Sequence, residues 1–461
     1  MEEKRRRSWV IFIGLLIFFI GMFVVSGVGI YNDSDQYIVM HIHREPLYPL
    51  FLLLFRWCMG REAGLVAAAI VQNVLTAISI FALTEYIADR FSLKLPGKLI
   101  VTGLLVTPHL VTKYASNLGI FLENSIMSEA LCIPLLQFFI LFLLKMLYEA
   151  RLRGAFASLF LAFLLSMTRS QMYVALVLWM LGAMFVLFVH KKYKRLILPF
   201  CLLICMLGFR YLFVHTYNYF VTGRFIGNTY GQINILTNVI YACDRGDRET
   251  FEEGSAEQYF FDRFYEEADR LTANYRYAGE NIAERSMHLE NNHDILKFQV
   301  IEANFTDYYE NHGITDYYEQ NIMADKTAKV MLTKLLPVCF GRWFYDYLLL
   351  CRIGFIRSIA VVNRFFNIIA LVIYLSAAVL FCYMCRKDWK NPAVWLMGTA
   401  FLFILGNVCI VSLTIMCLSR YMIYGFSLFY IAYFLLVKEA ALEMRENRWI
   451  KFGKEKYVNE L

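Results

Sequence analysis

The sequence predicts an all-α polytopic membrane protein, and three observations predict it. Of its 461 residues, 59% are apolar and only 18% charged, a balance that points away from soluble domains. The apolar residues gather in runs near the roughly 20 residues that cross a hydrocarbon core. Basic clusters recur between alternate runs, as the positive-inside rule requires of a chain that threads back and forth.

The first run, residues 9–30, is longer than the apolar region of a signal peptide and has no small-residue cleavage site after it, so it reads as a retained anchor. The leading Lys4-Arg5-Arg6-Arg7 then stays cytoplasmic. Further spans are expected at 64–87, 97–112, 124–146, 155–168, 171–190, 196–216, 362–385, 393–416 and 420–438, about ten in all. The basic clusters test the count. Arg90, Lys94 and Lys98 follow the second span, Lys145, Arg151 and Arg153 the fourth, Lys191 to Arg195 the sixth, and Arg386, Lys387 and Lys390 the eighth. All fall on the cytoplasmic side, and both termini with them, in the cell membrane. The stretch 335–357 is apolar enough to be an eleventh span. Making it one would move the basic tail outside, so it reads as interfacial or re-entrant.

Four parts follow: an N-terminal membrane module, 1–216; an extracytoplasmic insertion, 217–333; a C-terminal membrane module, 334–438; and a cytoplasmic basic tail, 439–461. Residues 217–330 hold 20 Asp and Glu against 10 Lys and Arg, a net of −10 in a chain of net +7, as expected of a water-facing domain on a positive-inside body. The insertion reads mainly helical, notably over 255–271 and 281–309. Its tyrosine pairs, Tyr308-Tyr309 and Tyr317-Tyr318, either stack on sugars or pack. The first outer loop, 31–63, opens on Tyr31-Asn32-Asp33-Ser34-Asp35-Gln36-Tyr37. Its apolar stretch 47–58 is too short to cross and is bracketed by Pro46, Pro49 and Arg61, so it is expected to lie along the membrane surface.

Eleven cysteines are scattered, nearly all in apolar segments, which leaves no disulfide framework for the insertion. Cys382 and Cys385 lack a second pair, and His41 and His43 sit at strand spacing where helices are expected; neither pattern makes a good metal site. Arg44 and Glu45 read as a solvated loop pair.

Ionisable residues inside spans are costly and mark function by default. Here their sidedness informs. His109 and Lys113 end the third span, Glu123 and Glu129 lie in the outer part of the fourth, Arg169 ends the fifth, Arg210 sits in the outer third of the seventh, and Arg420 opens the tenth. All share the leaflet of Asp33 and Asp35. A transporter would place such groups near the midplane. Gathered at one face, they describe a cavity in which cations hold an anionic head group and a carboxylate does chemistry. Guanidinium suits that task because it stays charged and offers a planar fork of donors.

With these residues in view, the chain resembles the polyprenol-dependent membrane glycosyltransferases of the GT-C superfamily, in particular the bacterial protein mannosyltransferase and aminoarabinose transferase types. The likeness lies in a first span followed by a DSxxY element (Asp33, Ser34, Tyr37) and Arg44-Glu45-Pro46-Leu47-Tyr48-Pro49-Leu50. Met127-Ser128-Glu129-Ala130-Leu131, Thr168-Arg169 and Ser419-Arg420-Tyr421 complete it. Two departures stand out: relatives often have eleven to thirteen spans, and here the outer domain is inserted between spans. The resemblance implies a GT-C fold and transfer of one sugar from an undecaprenyl-phosphate carrier in the lipid bilayer to a glycan, lipid or protein acceptor outside the cytoplasm. No nucleic acid partner is expected.

In that reading Asp33 is the general base; Arg169, Arg420 and Lys113 hold the donor phosphate; Glu129 orients one of them. Asp35 is either a divalent-metal ligand beside Asp33 or a solvated neighbour, and no other cofactor is expected. Tyr37 and Tyr48, with Tyr31 and Gln36, would supply hydrogen bonds to the sugar. No nucleotide-binding loop appears, which fits a lipid-linked donor. Rival readings are a lipid-linked saccharide flippase or exporter, a repeat-unit polymerase, and a structural or signalling subunit.

Overall fold

The computed structural model describes residues 2–115 and 119–458. Side chains of the Lys4–Arg7 cluster and of the tail beyond Arg445, both used to assign sidedness, lie outside the described ones. The described residues are overwhelmingly helical and form no strand. One isolated bridge joins Gly29 to Ser125.

The chain is a multi-pass membrane protein: among the described residues, nine helices are long and apolar enough to cross a bilayer. They include α1 (Glu2–Ser26), which the short α2 (Asn32–Ile38) and α3 (Leu47–Met59) separate from α4 (Arg61–Arg90). Next come α5 (Leu95–Ala115), α6 (Ser128–Glu149), the shorter α7 (Leu152–Ser166), α8 (Tyr173–Val189) and α9 (Ile197–Thr222). The expected fifth span, 155–168, is α7, and its 15 residues set it apart from the nine. At 1.5 Å per residue it reaches about 22 Å, short of a core of about 30 Å. It runs back along α6, with Gly154 against the backbone of Met146 at one end and Arg169 meeting Glu129 at the other. The first loop descends to meet it: Leu47 N–H donates to Met167 O at 3.0 Å.

The insertion comprises α10 (Gly231–Tyr241), α11 (Ala256–Arg270), α12 (Ile282–Asp294), a π-helix over Ile295–Glu302, α13 (Ala303–Asn311) and the start of α14 (Tyr317–Ile359). Helix starts follow the sequence: Ser255, Asn281 and Asp316 each accept the backbone N–H three residues on, the N-cap bond that satisfies an orphan donor. On α11, Phe260, Phe261, Phe264, Tyr265 and Ala268 recur at helical spacing and turn into the insertion's core. Tyr308 and Tyr309 pack around Phe260, so this pair fills space.

The boundary expected at 333 falls inside α14, which runs 43 residues without a break. The insertion's core continues along it through Leu335, Cys339, Trp343 and Leu350, because apolar residues there keep a face turned to α10. Stretch 335–357 is therefore the second half of one long helix. It meets the bundle through Tyr347, Gly354 and Arg357, which touch Cys409, Val408 and Cys417. Cys339 also reaches Cys243, so the insertion holds two facing thiols. After α14 come α15 (Arg364–Asp388), α16 (Pro392–Thr414), α17 (Ser419–Met422) and α18 (Phe426–Val458).

Candidate functional site

The first loop folds under three constraints. Gly29 exchanges backbone hydrogen bonds with Asn124 and Ile126, both 2.9 Å, which sets α2 beside the start of α6. Ser34 Oγ accepts Tyr31 N–H at 2.8 Å and starts α2. Met40, at φ 60°, ends it: Met40 N–H returns to Tyr37 O and His41 N–H to Gln36 O, a Schellman closure in which methionine occupies the left-handed position glycine usually takes. The reversed chain carries Arg44 back over α2. Farther on, Gly60 at φ 80° turns α3 against α4, where a Cβ on Gly64 would come within 2.7 Å of the Arg56 backbone.

Arg44 is thus no solvated partner of Glu45. Its Nη2 donates to Asp33 Oδ1 at 2.7 Å and its Nε to Gln36 Oε1 at 2.8 Å, and the guanidinium lies 4.8 Å from the centre of the Tyr37 ring. Glu45 is buried and pairs with Arg210 of α9, which also donates to Ser166 O at 3.2 Å and covers Tyr173. Both residues turn inward because the Schellman reversal aims this stretch at the bundle.

The other oxygen of Asp33, Oδ2, lies 3.5 Å from Arg420 Nη2. Arg420 also donates to Tyr421 Oη at 2.8 Å, while its buried Nε makes no hydrogen bond. Arg169 pairs with Glu129 at 2.5 Å, donates to Ser128 Oγ at 3.1 Å and lies 5.0 Å from the Tyr421 ring centre. Tyr37 joins the groups, its hydroxyl 2.9 Å from Ser128 Oγ. The expected partners Asp33, Glu129, Arg169, Arg420 and Tyr37 therefore come together from four stretches of the chain. Burial raises the Asp33 carboxyl, but Arg44 and Arg420, with Arg169 behind them, outweigh it and hold its pKa below the usual carboxylate range.

Three expected residues take other places. Tyr48 is fully buried and donates to Gln72 Oε1 at 2.9 Å, with its ring edge-on to Tyr37; it supports Tyr37 and has no surface for a sugar. Lys113 Nζ lies 4.4 Å from the centre of the Phe121 ring and 5.4 Å from that of Tyr114, on the His109 and Glu123 side. None of its described contacts joins it to Asp33. Asp35 is exposed on α2. Among the described residues no group of three or more His, Cys, Asp or Glu is arranged to hold a metal ion. His43 instead meets Thr229 Oγ1 at 2.9 Å and stacks on Tyr230 at 4.2 Å. Burial first, then Arg44, pushes His41 down to about 4; burial, His41 and Arg44 push His43 to about 2.

Sequence reasoning missed Arg44, Gln36 as its holder, and Lys297. Lys297 comes from the π-helix of the insertion, is buried, and sits 4.0 Å from the Tyr230 ring centre. One signal was available: it is the sole Lys or Arg between Arg285 and Lys326.

Among the directly paired groups three guanidiniums face two carboxylates, leaving one positive charge in excess in a largely buried place, while Lys297 and Asp294, farther out, offset one another. An anion of single charge completes that balance. Beside it runs an apolar crevice between α4, α5, α6, α16 and α18, lined by Leu83, Leu105, Leu136, Leu396 and Ile431. Pro108, inside α5, and Tyr424 also line it. Tyr424 is near enough to Arg169 to feel its charge. Comparison with models of known families, with characterised proteins and with solved structures finds no match.

Proposed function

We propose that this protein is an integral membrane glycosyltransferase that moves a sugar from a polyprenyl-phosphate carrier to an acceptor on the extracytoplasmic side. The observation that carries the reading is the excess of one cation around Asp33 at the edge of an apolar crevice. A sugar phosphodiester bears one negative charge, and its lipid tail needs an apolar path. Arg169 and Arg420 take the phosphate, the buried Arg420 Nε supplying a donor with no present partner. The tail lies in the crevice.

The acceptor hydroxyl gives its proton to Asp33 as its oxygen attacks the anomeric carbon. The new carbon–oxygen bond forms opposite the old one, which breaks with its electron pair passing to the lipid phosphate, so the anomeric centre inverts. The arginines stabilise that departing charge in a site with little water. Asp33's low basicity in the resting site has a consequence. Arg420, at 3.5 Å the looser of its two partners, turns to the donor phosphate on binding, which returns basicity to the carboxylate when the donor is present.

The test is consumption of radiolabelled polyprenyl-phosphate monosaccharides in proteoliposomes supplied with cell-envelope extract, for wild type and Asp33→Asn, with and without chelator. Turnover by wild type, reduced about 10²- to 10⁴-fold in the variant with donor binding retained, is expected of a general base. Donor bound but never consumed by wild type would transfer the reading to a flippase.

A further inference from the structure

The insertion reaches the site through its π-helix. Lys297 lies near enough to Arg44 and Asp33, and Asp294 to Arg420, for their charges to act on one another. In a π-helix hydrogen bonds span five residues rather than four, so residues five apart share a face. That register sets Lys297 and Glu302 on the same ring: Lys297 Nζ above Tyr230, Glu302 hydrogen-bonded to it. Tyr230 is itself held in an uncommon conformation, φ 90°, with its N–H and that of Gln232 donating to Asp325 Oδ1 at 3.0 and 3.1 Å. A bulky residue at positive φ is strained and persists where its surroundings enforce it. Tyr230 stacks on His43, the neighbour of the arginine that grips Asp33.

On the far side of Glu302 opens a shallow pocket, lined by Glu302, Thr306, Tyr317, Gln320 and Asn321 over Phe305. Glu302 Oε1 is buried there without a hydrogen bond. The side-chain amides of Gln320 and Asn321 donate to Ile314 O and Tyr317 O, which leaves their oxygens as acceptors. Tyr317 presents an exposed ring. A carboxylate, two amide oxygens, a hydroxyl and an aromatic face match the outward hydroxyls and apolar ring face of a sugar. The carboxylate opposes an anionic ligand.

Building on the transferase reading, we propose that this pocket is the acceptor subsite: it holds a neutral saccharide by Glu302 and Asn321, and the acceptor hydroxyl extends past Tyr230 and His43 toward Asp33. The insertion thereby selects the acceptor, while the bundle holds the donor.

The experiment is saturation-transfer NMR on the full chain in lipid nanodiscs with glucose, mannose, galactose and N-acetylglucosamine, and with glucosamine and glucose 6-phosphate as charged probes. At least one neutral sugar should receive saturation, weakened about tenfold by Glu302→Gln, the effect of one hydrogen bond to a charged group. Asn321→Ala, on the partly exposed side of α14, should weaken it too and serves if Glu302→Gln does not fold. Binding by no neutral sugar, by the charged probes alone, or unaltered in both pocket variants overturns the proposal. Donor consumption by wild type separates the two readings. Consumption without sugar binding rejects the pocket and keeps the transferase; sugar binding without consumption rejects the acceptor role along with the transferase.

Discussion

At Glu45 one carboxylate meets one arginine, Arg210, which also donates to Ser166 O; at Asp33 and Glu129 two carboxylates meet three arginines, and Arg420 Nε stays unbonded. Both clusters are built from the same residue types, at the same end of the bundle, by the same loop. The first is closed: one desolvated charge cancels the other, and the pair joins α9 to the first loop. The second is open by one charge. Balance, more than burial, separates a brace from a binding site.

Breaking the brace should have the largest effect on stability. Glu45→Ala leaves Arg210 buried and unpaired, and about 3–5 kcal/mol should be lost. Glu45→Ala with Arg210→Met should recover much of that, read by thermal unfolding in detergent. A double variant as unstable as the single one would show that the pair is not closed.

Lys297 tests the same idea in the insertion, where a buried ammonium is incompletely offset. Burial, against the pull of Glu302 and Asp294, lowers it from 10.5 to about 8. The unfolded chain therefore binds the extra proton between about pH 8 and 10.5, and stability rises with pH across that window. Below about 8 both states are protonated and the penalty is complete, on the order of 3 kcal/mol for a shift of this size. Lys297→Met should accordingly be the more stable protein at pH 7, with the gap closing by about pH 10.5. A gap independent of pH would mean that packing, not charge, makes the difference.

Arg420→Met probes the open cluster. Asp33 keeps Arg44, so the fold should hold within about 1 kcal/mol while donor affinity falls about tenfold, the value of one charge-assisted contact. A large loss of stability with affinity intact would reverse the assignment of brace and site. The smallest effect is Met40→Gly, which relieves a left-handed residue and should stabilise by about 1 kcal/mol. Activity should be unchanged, because the loop's path is the same.

Much of the membrane body is legible in the residues. Hydropathy marks nine long helices, and Asn281 and Ser255 announce the helices they cap. Asp33, Glu129, Arg169 and Arg420 stand out because charge in or beside an apolar run is expensive. Arg44 and Glu45 were not legible: in a polar loop nothing local distinguishes a solvated pair from two residues turned inward, and the reversal at Met40, where glycine would be the signal, decides it. Tyr48 reads like Tyr37 in sequence, but packing against Gln72 buries it.

Composition and hydropathy alone thus determined that the chain is a helical membrane protein and which charges are too costly to be idle. These are properties of single residues against their nearest neighbours. Tertiary structure decided which charges cancel. It also decided that α7 stops short, that α14 carries the insertion's core past its expected boundary, and that a π register lays Lys297 and Glu302 on one tyrosine. Each depends on groups brought together across long stretches of chain, and no local pattern encodes their distances.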